Sequence, residues 1–566
     1  MAAVGLVLTV ATVKAVPVKG GWTTATLADG SSILVLPCGD EHFHFFITSD
    51  GRRLTMDADG RLTDTPTEAA MARGNARRNS ANKARLSRRR SLSETRALQG
   101  ERKKGLIILV GFANKKFQSP NTAQSTWNAI ANEVGYDNGK SVGSVHDYFL
   151  NQSYGLFDIV FDVVGPINMP NTYAYYGKND RWGEDSNVGE LVSDACIAAD
   201  NMVDFSDYDW NHDGEADMVY ILYAGYSEAF YSSRQPDLIW PHEWALQFWN
   251  LDTGPLILDD TLIDTYACGS ELGYGTELSG LGTFCHEFSH ALGLPDLYNT
   301  DSESKYANDT VMEYWDLLSL GCYNNDGWCP AGYSAYERYF CGWLAPVELK
   351  TDCSISGMKP LNEAPEAYLV RNEAEDDTVD EYYLIENRKK TAWDKYLPGS
   401  GVLMTHVDFD STAWMDNSVN NFPSHYRLAY IPAGDSQSES SAAFPVTVRG
   451  RKRNSLTSSS LPAAKVFNIN KLGSMFMEKP ITNIAVNSEG LASFNFQNII
   501  GVSLSIDAMP STPRHGDGPS ENKHAMSYDI LGRPANGSTP IIIYRGANTN
   551  NNNKPIKRKK TYESYH

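Results

Sequence analysis

The chain has 566 residues, 42% hydrophobic and 21% charged, a balance that excludes a wholly disordered chain and a fibre. Its formal net charge of −20 excludes nucleic acid as the main partner, because phosphate binding needs clustered lysine and arginine. The charge is uneven: positions 72–104 hold twelve Lys/Arg against two acids, so the remainder carries −30.

In chain order, an apolar run from Ala2 to Val13 comes first. It is too short to span a bilayer but suits the core of a signal peptide, with cleavage after Ala15. Residues 1–15 are therefore expected to direct export. No other segment reaches the ~18 apolar residues of a membrane span, so stable membrane insertion is not expected. The stretch "ILVLPCGDEHFHFFITSDGRRL" then reads as strand, turn and strand. A basic segment without apolar periodicity follows, offering Arg88-Arg89-Arg90 and Arg102-Lys103-Lys104 to a trypsin-like activating protease. Residues 16–104 thus read as a β-rich propeptide ending in a cleavable hinge.

The strand "GLIILVGF" opens the next region. "HDYFLNQSYG" reads as helix up to Gly155, and "LFDIVFDVVG" puts Phe157, Ile159, Phe161 and Val163 on one face of a strand. "DMVYILYAG" is a further buried strand. Strands and helices mixed in this way predict an α/β or α+β catalytic domain over 105–345. From 346 to 505 short strands and turns dominate ("EAYLVRNE", "EYYLIENR", "GVLMTHVDF", "LASFNFQ"), which predicts a β-rich accessory domain. Residues 506–566 read as a polar linker and a small C-terminal module, either a sorting element or a stabilising hairpin. The eight cysteines form no CxxC pair and do not read as a structural zinc knuckle.

The chemistry concentrates in "HEFSHALGLPD", His286 to Asp296. Built as a helix, Gly282–Leu292 puts Leu281, Phe284, Cys285, Phe288 and Leu292 on one stripe and His286 and His290 opposite. Imidazoles at i and i+4 reach one ion. Gly293 ends the helix, and Asp296 is placed to supply a third ligand as the chain turns back. Three protein ligands leave one position for water, the arrangement of a catalytic zinc, with Glu287 beside it as general base. The plain alternative is a buried helix with hydrogen-bonded histidines.

Weaker signals accompany it. "DYDWNHDGEAD" puts Asp209, Asn211 and Asp213 on alternate positions before Gly214, the front half of a calcium loop; Tyr220 stands where an EF-hand needs glutamate. In "PCGDEHFHFF", Cys38 or Asp40 is a candidate for zinc's open position, holding the enzyme latent. His242 reads as a hydrogen-bonding residue rather than a ligand.

"GLGTFCHEFSHALGLPDLY" resembles the signature of the immune inhibitor A-like metallopeptidases, a secreted bacterial zinc protease family allied to the metzincins. So do "SVHDYFLNQSYGLFDIVFDVVGP", "DFSDYDWNHDGEADMVYILYAG", "WDLLSLGCYNNDGWCPAGYSAYERYFCGWL" and "YYLIENRKKTAWDKYLPGSGVLMTHVDFD". The resemblance covers 105–345 well and 360–500 moderately. It implies a metzincin-like catalytic domain and a secreted or surface-bound zinc endopeptidase made as a zymogen. His286, His290 and Asp296 would hold zinc, Glu287 would be the base, and proteins or peptides the substrates. The family reads Trp-Asp-Leu-Met under the metal; here the residues are Trp315-Asp316-Leu317-Leu318, and leucine fills that floor at modest cost. Tyr323, beyond this turn, is an oxyanion candidate, the alternative being a packing tyrosine. Two other readings stay open at this point: a matrix-binding adhesin on an idle protease fold, and a zinc amidohydrolase acting on a non-protein amide.

Overall fold

The computed structural model describes residues 23–27, 29–40, 43–49, 52–56, 61–64, 101–179, 185–228, 237–249, 254–273, 276–301, 311–435 and 440–497. The expected signal peptide, the Arg88–Arg90 run and the C-terminal module lie outside the described residues. The N-terminal region is an antiparallel meander in chain order: β1 (Thr23–Thr26), β2 (Ser32–Asp40), β3 (Phe43–Thr48), β4 (Arg53–Met56) and β5 (Leu62–Asp64). Val35, Phe46, Leu54 and Leu62 form its small core. Cys38 and Asp40 fall on β2, but their side chains lie outside the described residues.

The next sheet has the order β7-β6-β8-β12-β9. Its strands are β6 (Lys103–Gly111), β7 (Ile159–Asn168), β8 (Val219–Tyr226), β9 (His242–Ala245) and β12 (Thr265–Leu272). All run parallel except β9, which pairs antiparallel with β12. A small hairpin, β10 (Leu256–Leu258) and β11 (Thr261–Ile263), precedes β12. Helices cover both faces, as a parallel sheet requires. Strand alternation explains how: Ile107 and Leu109 face α1 (Ala123–Asn132) and α2 (Val145–Gln152). Leu106, Ile108 and Val110 join the opposite core, with α3 (Tyr173–Tyr176) and α4 (Val188–Ala199). Ile159, Phe161 and Val163 are buried together, as the alternation in β7 predicts.

One boundary differs from the sequence expectation. Lys103 and Lys104, placed above in the cleavable hinge, are the first residues of β6. Lys103 is buried, and its amide bonds the Asp158 carbonyl. Lys104 pairs with Asp207 at 2.6 Å and Arg102 with Asp158 at 3.0 Å. Arg102 and Lys104 are exposed on either side of the buried Lys103, and a hydrophobicity pattern misreads such a polar strand opening as linker.

Helix α5 (Gly282–Ala291) lies on the first face, with α6 (Ala335–Phe340) further on. Beyond 345 come β13 (Val347–Glu348), β14 (Cys353–Met358), β15 (Tyr368–Arg371), β16 (Asp380–Arg388), β17 (Gly401–Phe409), α7 (Ser411–Met415) and β18 (Leu428–Tyr430). The hairpin β19 (Val446–Val448) and β20 (Arg451–Arg453) leads to β21 (Ile481–Val486) and β22 (Ala492–Phe496). Two sheets result, β13-β15-β16-β17-β18 and β14-β22-β21. The five-stranded sheet is apolar on both faces. Tyr382, Leu384, Leu403 and Val407 join the core that contains α5, while Tyr383, Ile385, Val402 and Met404 pack toward β14, β21 and β22. The β-rich region and the parallel sheet thus share one apolar interior, in which each such buried side chain contributes roughly 1.5–3 kcal/mol. Cys196, Cys268, Cys285, Cys329, Cys341 and Cys353 are buried free thiols.

Candidate metal centre

Helix α5 is built to turn two histidines away from the core. Leu281, Phe284, Cys285, Phe288 and Leu292 all join the large core, as the helical stripe predicts. Phe284 and Phe288 stack at 5.9 Å, and Phe161 meets both edge-on. The helix lacks a side-chain cap; instead the amides of Leu281 and Gly282 both donate to the Gly327 carbonyl. Glycine is required at 282, since a Cβ there would lie 1.9 Å from the Cys322 carbonyl oxygen. Gly293, at φ +88°, ends the helix, and the Leu294 amide reaches back to the Ser289 carbonyl.

Two main-chain carbonyls fix the candidate ligands, one from that turn and one from the later Leu317. His290 Nδ1 donates to the Leu294 carbonyl at 2.8 Å, and His286 Nδ1 donates to the Leu317 carbonyl at 2.9 Å. With protons on Nδ1, both Nε2 lone pairs point inward, the arrangement that metal-binding histidines use. The two Nε2 atoms are 3.3 Å apart, and Asp296 Oδ1 is 3.3 Å from one and 3.4 Å from the other. His286 and Asp296 are at most 1% exposed and His290 4%. Burial works to raise the Asp296 carboxyl, but His290 and His286 outweigh it and hold it well below the ordinary range. In the neutral-imidazole form, with both Nδ1 protons committed to carbonyls, three acceptor atoms converge on one point. Atoms held about 2.0–2.1 Å from a tetrahedral ion lie about 3.3–3.4 Å apart, so this donor set fits a divalent cation. Among the described residues this is the one group of three or more His, Cys, Asp or Glu side chains so arranged.

Glu287 follows His286 and is fully buried. Its neighbour Tyr220 is held protonated, first by burial and then by the Glu287 charge. The floor behaves as a main-chain device: Leu317 orients His286, and the Leu318 carbonyl accepts the Leu297 amide at 2.9 Å. Tyr323 is buried in the same core at the end of the turn Leu320–Tyr323, and its oxyanion role stays an expectation. His242 bonds the Trp240 carbonyl and the Tyr266 hydroxyl, the structural role expected of it.

The Asp209 loop is different in kind. Asp209 accepts the amides of Asp213 and Gly214, Asn211 also accepts the Asp213 amide, and Asp213 accepts the Glu215 amide. These oxygens brace the loop itself, and calcium gains no support from them.

Residues 99–343 match the family model described as "Immune inhibitor A peptidase M6, catalytic domain". This segment resembles the catalytic domain of the immune inhibitor A peptidase M6 family. The chain is 27% identical over 231 residues to "Immune inhibitor A" of Bacillus thuringiensis subsp. alesti, covering 36% of this chain and 32% of that one. It is 24% identical over 222 residues to "Pre-pro-metalloprotease PrtV" of Vibrio cholerae serotype O1 (strain M66-2), covering 36% and 24%. It is 26% identical over 255 residues to "Putative secreted metallopeptidase" of Arthroderma benhamiae, covering 38% and 34%. The chain therefore spans about a third or less of the length of these relatives. The matched segment is similar to a metallopeptidase catalytic domain, and that family implies a bound metal. Its match ends before the β-rich strands, yet one residue from beyond that end, Asn417, touches Asp296 directly. Sequence reading missed Asn417, because nothing in "MDNSVNNF" marks it.

Proposed function

We propose that the chain is a secreted zinc-dependent endopeptidase that cleaves protein substrates and is made as a zymogen. The observation that carries this reading is the convergence of His286 Nε2, His290 Nε2 and Asp296 Oδ1 at 3.3–3.4 Å, with both Nδ1 protons committed to carbonyls. Bound there, zinc supplies a water of lowered pKa and a Lewis acid for the scissile carbonyl. Glu287, the buried carboxylate that follows His286, would be the base that accepts the proton of the attacking water and returns it to the leaving amine. The buried surroundings of Glu287 and His286 strengthen each of these charge interactions relative to bulk water. The relatives named as secreted and as a pre-pro-enzyme support export and latency. Among the described residues no helix is long and apolar enough to cross a membrane. A complete donor set with Glu287 in place disfavours an idle adhesin.

The test uses the processed full-length protein and its Glu287→Ala variant. Both are expected to bind one zinc, and the variant to cleave an unfolded protein about 100-fold or more slowly. A chelator should silence the wild type. Equal cleavage by the two proteins, or a wild type that binds no zinc, would overturn the assignment.

A further inference from the structure

The third ligand is held by a residue 121 positions away. Asn417 Nδ2 donates to Asp296 Oδ2 at 2.6 Å, and Asn417 Oδ1 accepts the Asp296 amide at 2.7 Å. One planar carboxamide therefore grips both the carboxylate and the backbone of the same residue. It leaves Oδ1 of Asp296, the atom facing the two imidazoles, for the metal. A carboxamide offers a donor and an acceptor side by side without titrating. The backbone around it is specialised as well. Asp410 caps α7 by accepting the amides of Thr412 and Ala413, and the chain then leaves the helix with Asn417 at φ +49°, a conformation asparagine tolerates better than most residues. Neighbouring side chains fasten the same two segments: Asn420 donates to the Leu297 carbonyl at 3.0 Å, and Asn421 accepts the Thr300 amide at 2.8 Å. Asn417 is 2% exposed and Asn420 fully buried.

We propose that Asn417 is a positioning residue of the metal centre, so that the β-rich region beyond residue 345 completes the site. This rests on the reading that His286, His290 and Asp296 hold zinc. Partners that orient a ligating carboxylate set its direction and basicity, and losing one costs 10–100-fold in metal affinity or activity. Asn417→Asp is the sharpest probe. It keeps the shape, the tolerance of positive φ and the acceptor for the Asp296 amide, but replaces the donor with a second carboxylate facing Oδ2.

The experiment takes the full chain as wild type, Asn417→Asp, Asn417→Ala and Asn420→Ala. Each is stripped of metal, checked for folding by its metal-free melting curve, and titrated with Zn2+ against a chromophoric chelator. Co2+ is then added alone and its visible spectrum recorded. Both Asn417 variants are expected to bind Zn2+ about 10–100-fold more weakly and to show altered Co2+ bands. Asn420→Ala, which loosens the same loop without touching Asp296, is expected to keep the wild-type spectrum and an affinity within about threefold. Folded Asn417 variants with wild-type affinity and spectrum would overturn the clamp. So would an Asn420→Ala variant that reproduces the whole loss, which would make loop packing the cause. A wild type that binds neither ion overturns the metal-centre reading and the clamp with it, whereas a binding wild type matched by its variants overturns the clamp alone.

Discussion

Leu318 shows how little of the site's floor depends on a particular side chain. The turn acts through main-chain carbonyls, Leu317 on His286 and Leu318 on the Leu297 amide, while the Leu318 side chain fills space at zero exposure. Leucine and methionine have similar volumes, so Leu318→Met is expected to shift stability by less than about 1.5 kcal/mol and leave kcat/KM within about threefold. Leu318→Ala leaves a cavity and is expected to cost about 2–5 kcal/mol in chemical denaturation. A large activity change in the methionine variant would show that the side chain itself shapes the metal site. At this scale the sequence was informative where partners are close together. His286, His290 and Asp296 lie within eleven residues, and helical spacing alone brings the imidazoles together. Asn417 was illegible because a carboxamide in a loop carries no periodicity and its partner is 121 residues away.

Elements were legible where one face is apolar, as in α5 and β7, and less so where a constraint comes from packing against distant backbone. Gly282 is the clearest instance. Helix propensity alone favours alanine over glycine by about 0.5–1 kcal/mol. Against that, a Cβ at 282 would lie 1.9 Å from the Cys322 carbonyl oxygen, a rigid neighbour that cannot swing aside. Overpacking of this kind costs about 1–3 kcal/mol and displaces backbone, so the steric effect wins. Gly282→Ala is therefore expected to lower the metal-free melting temperature. Because His286 lies one turn further along α5, the variant should also bind zinc more weakly. A raised melting temperature would show that propensity governs and that the contact relaxes freely. In the calcium-like loop the spacing is that of a ligand set and the same oxygens accept the loop's own amides, so calcium there stays an expectation.

Across the whole molecule, the catalytic segment and the β-rich sheet meet around a buried charge cluster that no local pattern reveals. Arg388 reaches Asp394 at 2.6 Å, Glu386 at 3.0 Å and the Gly332 carbonyl at 2.9 Å. Glu386 in turn accepts the Ala335 amide at 2.6 Å. With Asp316, Glu337 and Arg338, all at most 1% exposed, four carboxyls face two guanidiniums. The imbalance is resolved by protons. Burial pushes Asp316 up to about 6 despite the Leu318 amide and Arg388, with Glu386 adding to the rise. Burial and the Asp316 charge push Glu337 well above the usual range. A carboxyl raised in the folded state favours folding below its unfolded value, 3.8 for Asp316, and that contribution is lost as pH rises through about 6. The gap is worth about 3 kcal/mol at most. Asp316→Asn retains an acceptor for the Leu318 amide and removes the titration. The stability advantage of wild type over this variant should therefore shrink between pH 4 and 6.5, leaving the variant at least as stable at pH 7.5. Denaturation midpoints measured across that range decide the matter: parallel curves for the two proteins would mean that Asp316 stays ionised in the fold throughout it.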